Sequence, residues 1–232
     1  MKAIIFDCDG TLVDSEKTHY LGWMQALKKH GFDFALEEYY ECIGTPIEKT
    51  ARALAQKFRK DFAEELRKDK HAFFQAQIQL GVDPIHDTLE FLQRLFKEQK
   101  RFHYKLAIAS GAAREEIMVY LRHLKIENLF EVILSGKDDL DDYHDPEGIN
   151  KPKPYIYLEA AKRLGVAPSE CVAIEDSRPG VLASHRAGCV TVAIPGIYTQ
   201  NHDFSEADLV IPSLKEYSVE QFLKAVQKCQ QR

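Results

Sequence analysis

The sequence predicts an α/β fold: a doubly wound parallel sheet with an all-helical insertion after its first strand. Three observations carry this. From Pro84 onward, short apolar β-prone runs alternate with helical patterns, which is the signature of a parallel sheet. One further run, Lys2-Ala3-Ile4-Ile5-Phe6, stands apart at the start and leads into helical pattern as far as Leu80. Several runs also end in acids, hydroxyls or glycine, and the carboxyl ends of strands are where open α/β sheets bind ligands.

The opening run has the composition of a strand buried on both faces. It delivers Asp7 and Asp9 at its tip, and Gly10 permits a tight turn. A helical pattern then covers Glu16 to about His30, with Leu21, Met24 and Leu27 on one face and Gly31 as its C-cap. A short helix is expected near Leu36–Glu41. Ile43-Gly44-Thr45-Pro46 is a loop, with Pro46 opening the next helix. Ile47–Phe58 and Phe62–Leu80 follow as helices, and Gly81-Val82-Asp83-Pro84 breaks the run. The expected domains are therefore a catalytic core of residues 1–15 and 82–232 and a helical unit of 16–81.

In the core, Ile85–Glu98 is a helix with Leu89, Leu92 and Leu95 on one face, and Tyr104–Ala109 is a strand ending in Ser110-Gly111. Ala113–Leu124 is a helix and Glu131–Leu134 a strand, followed by an acidic loop from Lys137 to Gly148 that reads as a solvated excursion. Pro154–Leu164 is a helix closed by Gly165, and Glu170–Ile174 is a strand ending in Glu175-Asp176. The helix Arg178–Ala187, strands Cys189–Ile194 and Leu209–Ile211, and the helix Val219–Gln230 complete the pattern.

Composition narrows the function. The chain of 232 residues is 45% hydrophobic and 29% charged, which suits a globular protein large enough for a substantial core. Its formal net charge of −5 disfavours nucleic acid as a partner. No apolar run suits a membrane span, and Met1 leads almost directly into the first strand, so neither membrane nor signal peptide is expected. The five cysteines form no CxxC pair and no zinc-site spacing, which reads as reduced thiols in a cytoplasm. Cys8 lies between Asp7 and Asp9, but the flanking carboxylates oppose a thiolate and strand alternation turns it away from them. The protein is expected to be a monomer.

Two acids at the tip of a buried strand cost free energy unless a cation joins them, and a hard divalent ion, Mg²⁺, is the natural one. The plain alternative is that Asp7 and Asp9 only start a turn. Glu175-Asp176-Ser177 repeats the pattern on a second core strand, and two such tips in one sheet can converge on one cation. Ser110-Gly111 precedes a helix and suits a phosphate, although Ser110 is equally a simple N-cap. Lys151, flanked by Asn150 and Pro152 and followed by Lys153-Pro154, is a fixed charge for a carboxylate or phosphate, or else part of a solvated loop.

Asp7-Cys8-Asp9-Gly10-Thr11 with Leu12-Val13-Asp14-Ser15, then Ser110, Lys151-Pro152 and Glu175-Asp176-Ser177, resemble in order and spacing the four motifs of the haloacid dehalogenase-like superfamily. The helical insertion resembles the cap of its β-phosphoglucomutase-like phosphatase branch, over a Rossmann-like core. The resemblance implies Asp7 as nucleophile, forming an aspartyl-phosphate, and Asp9 as general acid and base. It implies Mg²⁺ held by Asp7, the Asp9 main-chain carbonyl and Asp176, with Glu175 beside it. Ser110 and Gly111 would bind the transferring phosphate and Lys151 would pair with Asp7. Tyr155 departs from the pattern, since many relatives carry Asp there.

Within the cap, His19 falls where β-phosphoglucomutase has a histidine, and Trp23 one turn later also fits; a helix-surface histidine is the plain alternative. Ile47 stands where the mutase has an arginine near the glycine of its loop, here Gly44, and the nearest cations are Lys49 and Arg52. Arg114 is a candidate contact for a substrate anion. The expected activity is hydrolysis of a small phosphate monoester, with a phosphosugar mutase as the alternative. A haloalkanoate dehalogenase would not need Asp9 and Asp176, and a silent binding protein would have lost a motif member.

Overall fold

The computed structural model describes residues 1–43 and 45–230. The chain forms two compact units, one of Met1–Asp14 with the chain from Asp83 onward, the other of Ser15–Val82.

The first unit is built on strands β1 (Ala3–Phe6), β2 (Lys105–Ser110), β3 (Val132–Ser135), β4 (Cys171–Glu175), β5 (Val190–Ala193) and β6 (Leu209–Val210). They form one sheet in the order β3-β2-β1-β4-β5-β6, and every neighbouring pair is parallel. Each strand is connected to a parallel neighbour through a crossover, as parallel pairing requires. All four residues of β1 are buried, which explains why its sequence is continuously apolar rather than alternating.

The helices of the second unit are α1 (Ser15–Lys29), α2 (Leu36–Tyr40), α3 (Ile47–Lys57) and α4 (Ala63–Leu80). Those of the first unit are α5 (His86–Phe102), α6 (Arg114–Leu124), α7 (Tyr155–Leu164), α8 (Arg178–Ala187) and α9 (Val219–Gln230). Gly31 ends α1 at φ 83°, with Phe32 N–H bonding Leu27 C=O at 3.0 Å, a Schellman-type closure. The α5 helix runs one turn beyond the expected Glu98 and closes on His103 in a left-handed conformation, a role usually left to Gly or Asn. Among the described residues, no helix is long and apolar enough to cross a membrane.

One expected face is wrong. The buried side of α1 is Ser15, Thr18, Gly22, Trp23, Ala26 and Leu27, while Leu21 and Met24 are only half-buried. Gly22 is the reason: a Cβ there would lie 3.4 Å from the Lys70 carbonyl, so α4 approaches along the glycine and not along the leucine. Trp23, Ala26, Leu27, Phe34, Leu54 and Leu66 then share one apolar cluster.

Candidate active site

The tip of β1 is the centre of the sheet, with β2 on one side and β4 on the other. Phe6 pairs with Ile174, so Asp7 follows directly beside Glu175, and Asp7 N–H bonds Ile174 C=O at 2.9 Å. Beyond it the chain turns sharply. Cys8 C=O accepts the N–H groups of Leu12 at 2.8 Å and Val13 at 3.1 Å, and Gly10 sits at φ 77°. A side chain at Gly10 is excluded twice, by that left-handed conformation and because its Cβ would lie 2.3 Å from Asp176 Oδ2.

Register therefore brings together Asp7, Glu175 and Asp176, all buried, with a carboxylate oxygen from each within 4.8 Å of the others. Lys151 arrives from the loop before α7. Its ammonium donates to Asp7 Oδ1 at 2.6 Å, Glu175 Oε1 at 2.7 Å and the Ala109 carbonyl at 2.9 Å. Those acceptors use all three ammonium hydrogens.

One lysine does not balance this much buried acid. Burial pushes the Asp7 carboxyl up to about 8; Lys151 opposes the rise, and Glu175 and Asp9 add to it. Burial alone would depress the Lys151 ammonium, but Asp7 and Glu175 outweigh that and hold it above its ordinary value. The group fits a hard divalent cation: the donors are all carboxylate oxygens, and oxygens sharing an ion at about 2.1–2.4 Å lie no more than about 4.8 Å apart. Cys8 is buried, and burial with the adjacent Asp9 and Asp7 pushes its thiol well above the ordinary value, which removes it as a nucleophile.

Asp9 is half-buried and stands apart from the three-acid group. Its Oδ2 accepts the Ser110 hydroxyl at 3.0 Å, and Ser110 Oγ accepts Ala112 N–H at 3.0 Å. Gly111 is exposed in the turn between β2 and α6. Arg114 is committed within the fold: its Nη2 donates to Asp139 at 2.5 Å and to the Ile133 carbonyl at 3.0 Å. The acidic loop is consequently anchored rather than merely solvated. Asp138 accepts Arg114 N–H at 2.7 Å, and Asp145 pairs with Lys153 at 3.1 Å and accepts the Tyr155 hydroxyl at 2.9 Å. Tyr155 and the acidic loop are thus partners.

In the helical unit, His19 is stacked on Phe74, with centroids 4.2 Å apart, and its Nδ1 accepts from Lys70 Nζ at 2.6 Å. Lys70 is only 1% exposed, and its ammonium lies over Phe74 at 4.3 Å and Trp23 at 5.9 Å. Sequence reasoning missed Lys70, because a lysine amid Arg67, Lys68, Asp69 and His71 looks like a solvated face. Lys49 and Arg52 are exposed on α3, while Ile47 packs against the unit's apolar cluster. Gly44 lies outside the described residues. Tyr157 and Thr199 were also missed. Tyr157 donates to Glu175 Oε1 at 2.5 Å, and Thr199 reaches Asp176 Oδ2 at 3.5 Å.

A parallel sheet whose two adjacent strand tips carry a carboxylate–lysine cluster defines an α/β enzyme with its chemistry at the carboxyl edge. The chain belongs to the haloacid dehalogenase-like hydrolase family, whose sequence profile matches residues 4–194. Protein CbbY of Rhodobacter capsulatus is 31% identical over 224 residues, covering 92% of this chain and 94% of its own. The phosphorylated carbohydrates phosphatase of Thermotoga maritima is 27% identical over 216 residues, covering 91% and 90%. The β-phosphoglucomutase of Clostridium difficile shares the fold, with a TM-score of 0.76 at 22% identity and full coverage of both chains. The chain is an enzyme of this hydrolase family.

Proposed function

We propose that the protein is a Mg²⁺-dependent phosphatase that hydrolyses a small phosphate monoester, a sugar phosphate, through an aspartyl-phosphate. The observation that carries this is the buried cluster in which one ammonium bridges Asp7 and Glu175 beside Asp176. A related phosphatase named for phosphorylated carbohydrates supports the substrate class.

Asp7, Asp176 and the Asp9 main-chain carbonyl would hold the ion, with Glu175 beside them. Bound there, Mg²⁺ supplies positive charge that lets an anionic nucleophile meet an anionic phosphate. Asp7 attacks phosphorus, the bond to the sugar oxygen breaks, and Asp9 gives that oxygen its proton. Asp9 then takes a proton from water, whose oxygen attacks the aspartyl-phosphate and frees inorganic phosphate and Asp7. Ser110, which holds Asp9 in the resting site, turns its hydroxyl to a phosphate oxygen when substrate binds, and the Gly111 N–H adds a second donor. Lys151 draws Asp7 toward its ionised form and holds it in place.

Hydrolysis is preferred over mutase chemistry because Ile47 packs into the apolar cluster where a mutase would offer a cation. His19, which stands where β-phosphoglucomutase has a histidine, favours the second reading. Incubation with β-glucose 1-phosphate and a trace of the 1,6-bisphosphate separates the two. Inorganic phosphate should form faster than glucose 6-phosphate. The opposite order would make the protein a mutase.

A further inference from the structure

Tyr157 touches both signs of the charged centre. It lies in the first turn of α7, fully buried, and its hydroxyl donates to Glu175 Oε1. The same ring lies under the Lys151 ammonium, 5.2 Å from ring centroid to nitrogen. Glu175 is contacted on its other side as well. Its Oε2 accepts the Ser177 hydroxyl at 3.3 Å, and the carboxylate fills the space above Gly180, where a Cβ would lie 1.9 Å from Glu175 Cδ.

Glu175 Oε1 therefore takes two donors at once, Lys151 at 2.7 Å and Tyr157 at 2.5 Å. A phenol carries its proton at neutral pH, so Tyr157 is a donor there. A packing role alone does not need this hydroxyl. Phe would fill the same volume without desolvating a phenol against a carboxylate that already holds a lysine.

We propose that Tyr157 is a positioning residue: by fixing Glu175 and underlying the Lys151 ammonium, it holds that ammonium against Asp7 in the orientation the reaction uses. This rests on the phosphatase reading above. Without the hydroxyl, Glu175 Oε1 keeps Lys151 as a donor but loses its lateral support. The carboxylate can then rotate about its own χ angles and draw the ammonium away from Asp7.

The test compares wild type, Tyr157→Phe and Tyr157→Leu with para-nitrophenyl phosphate, Mg²⁺ titration calorimetry and thermal unfolding. In Tyr157→Phe, kcat should fall about tenfold, as for loss of one hydrogen bond to a charged group. KM should stay within about twofold, and Mg²⁺ binding should weaken several-fold as Glu175 loosens, with the unfolding temperature held. Tyr157→Leu, which also removes the ring from the ammonium, should lose roughly a further tenfold. Wild-type kcat and Mg²⁺ affinity in Tyr157→Phe would overturn the inference and leave the phosphatase reading standing. So would a loss that follows the unfolding temperature, which marks a packing role. A wild-type protein that neither binds Mg²⁺ nor releases nitrophenol overturns the reading and this inference together.

Discussion

The two units bury charge in opposite ways. At the tips of β1 and β4, three carboxylates gather, two of them on one lysine, and the excess is negative. In the helical unit, the buried charge is a lysine, Lys70, set among His19, Phe74 and Trp23. The first arrangement calls for a cation; the second sets an ammonium against aromatic faces and an imidazole. Parallel register gathers like charges at a strand edge, whereas helix packing wraps a charge in rings.

The sharpest way to break that contrast is at the nucleophile. Asp7→Asn should lower turnover by about 10⁴-fold or more, the scale of nucleophile loss in hydrolases, with folding kept because the site is a strand tip. An active variant that mass spectrometry shows has not reverted by deamidation would refute the assignment. Asp9→Asn should cost roughly 10²–10⁴-fold through failed leaving-group protonation. Calorimetry should still find Mg²⁺ bound, whereas lost binding would make the Asp9 side chain a ligand.

The helical unit gives a smaller effect of a different kind. Lys70→Met keeps the volume but leaves His19 Nδ1 without its donor, so the unfolding temperature should fall, with kcat on para-nitrophenyl phosphate nearly unchanged. An unchanged unfolding temperature would show that the bond between Lys70 and His19 adds nothing to the stability of the unit.

Acidity offers a subtler separation. Without metal, the Asp7 carboxyl is held up at about 8 against an ordinary 3.8. A raised folded value means the folded state keeps a proton that the unfolded chain has lost. The stabilisation is full below about pH 4 and disappears as pH rises through 8. In EDTA the unfolding temperature should therefore fall between pH 5 and 9 more steeply in wild type than in Asp7→Asn, and Mg²⁺ should reduce the difference. Parallel curves would show that Asp7 does not titrate in this window. The smallest effect is expected at Tyr155→Phe, which frees Asp145 of one hydrogen bond and should lower the unfolding temperature only slightly, with turnover nearly unchanged.

The same contrast explains what the sequence could and could not reveal. Asp7, Asp9, Glu175 and Asp176 were legible because each follows an apolar strand, and parallel register alone brings those tips together. Lys151 was legible through its flanking residues. Lys70 was not, because its partner His19 is 51 positions away and its neighbours in α4 are charged. Gly22 hid the inner face of α1 in a similar way: its missing side chain, rather than any apolar one, sets where α4 packs. Arg114 looked available for an anion until the fold supplied Asp139 from a loop that itself looked solvated. Local pattern thus reveals groups that strand order assembles; it does not reveal groups that need a distant helix or loop to give them meaning.

The central claim is that the buried Asp7, Glu175 and Asp176 cluster works only when a divalent ion completes it. The direct measurement is nitrophenol release from para-nitrophenyl phosphate by one preparation, first in EDTA and then with Mg²⁺ restored in excess. The account predicts no turnover in EDTA and full recovery on adding Mg²⁺. Undiminished turnover in EDTA would contradict it.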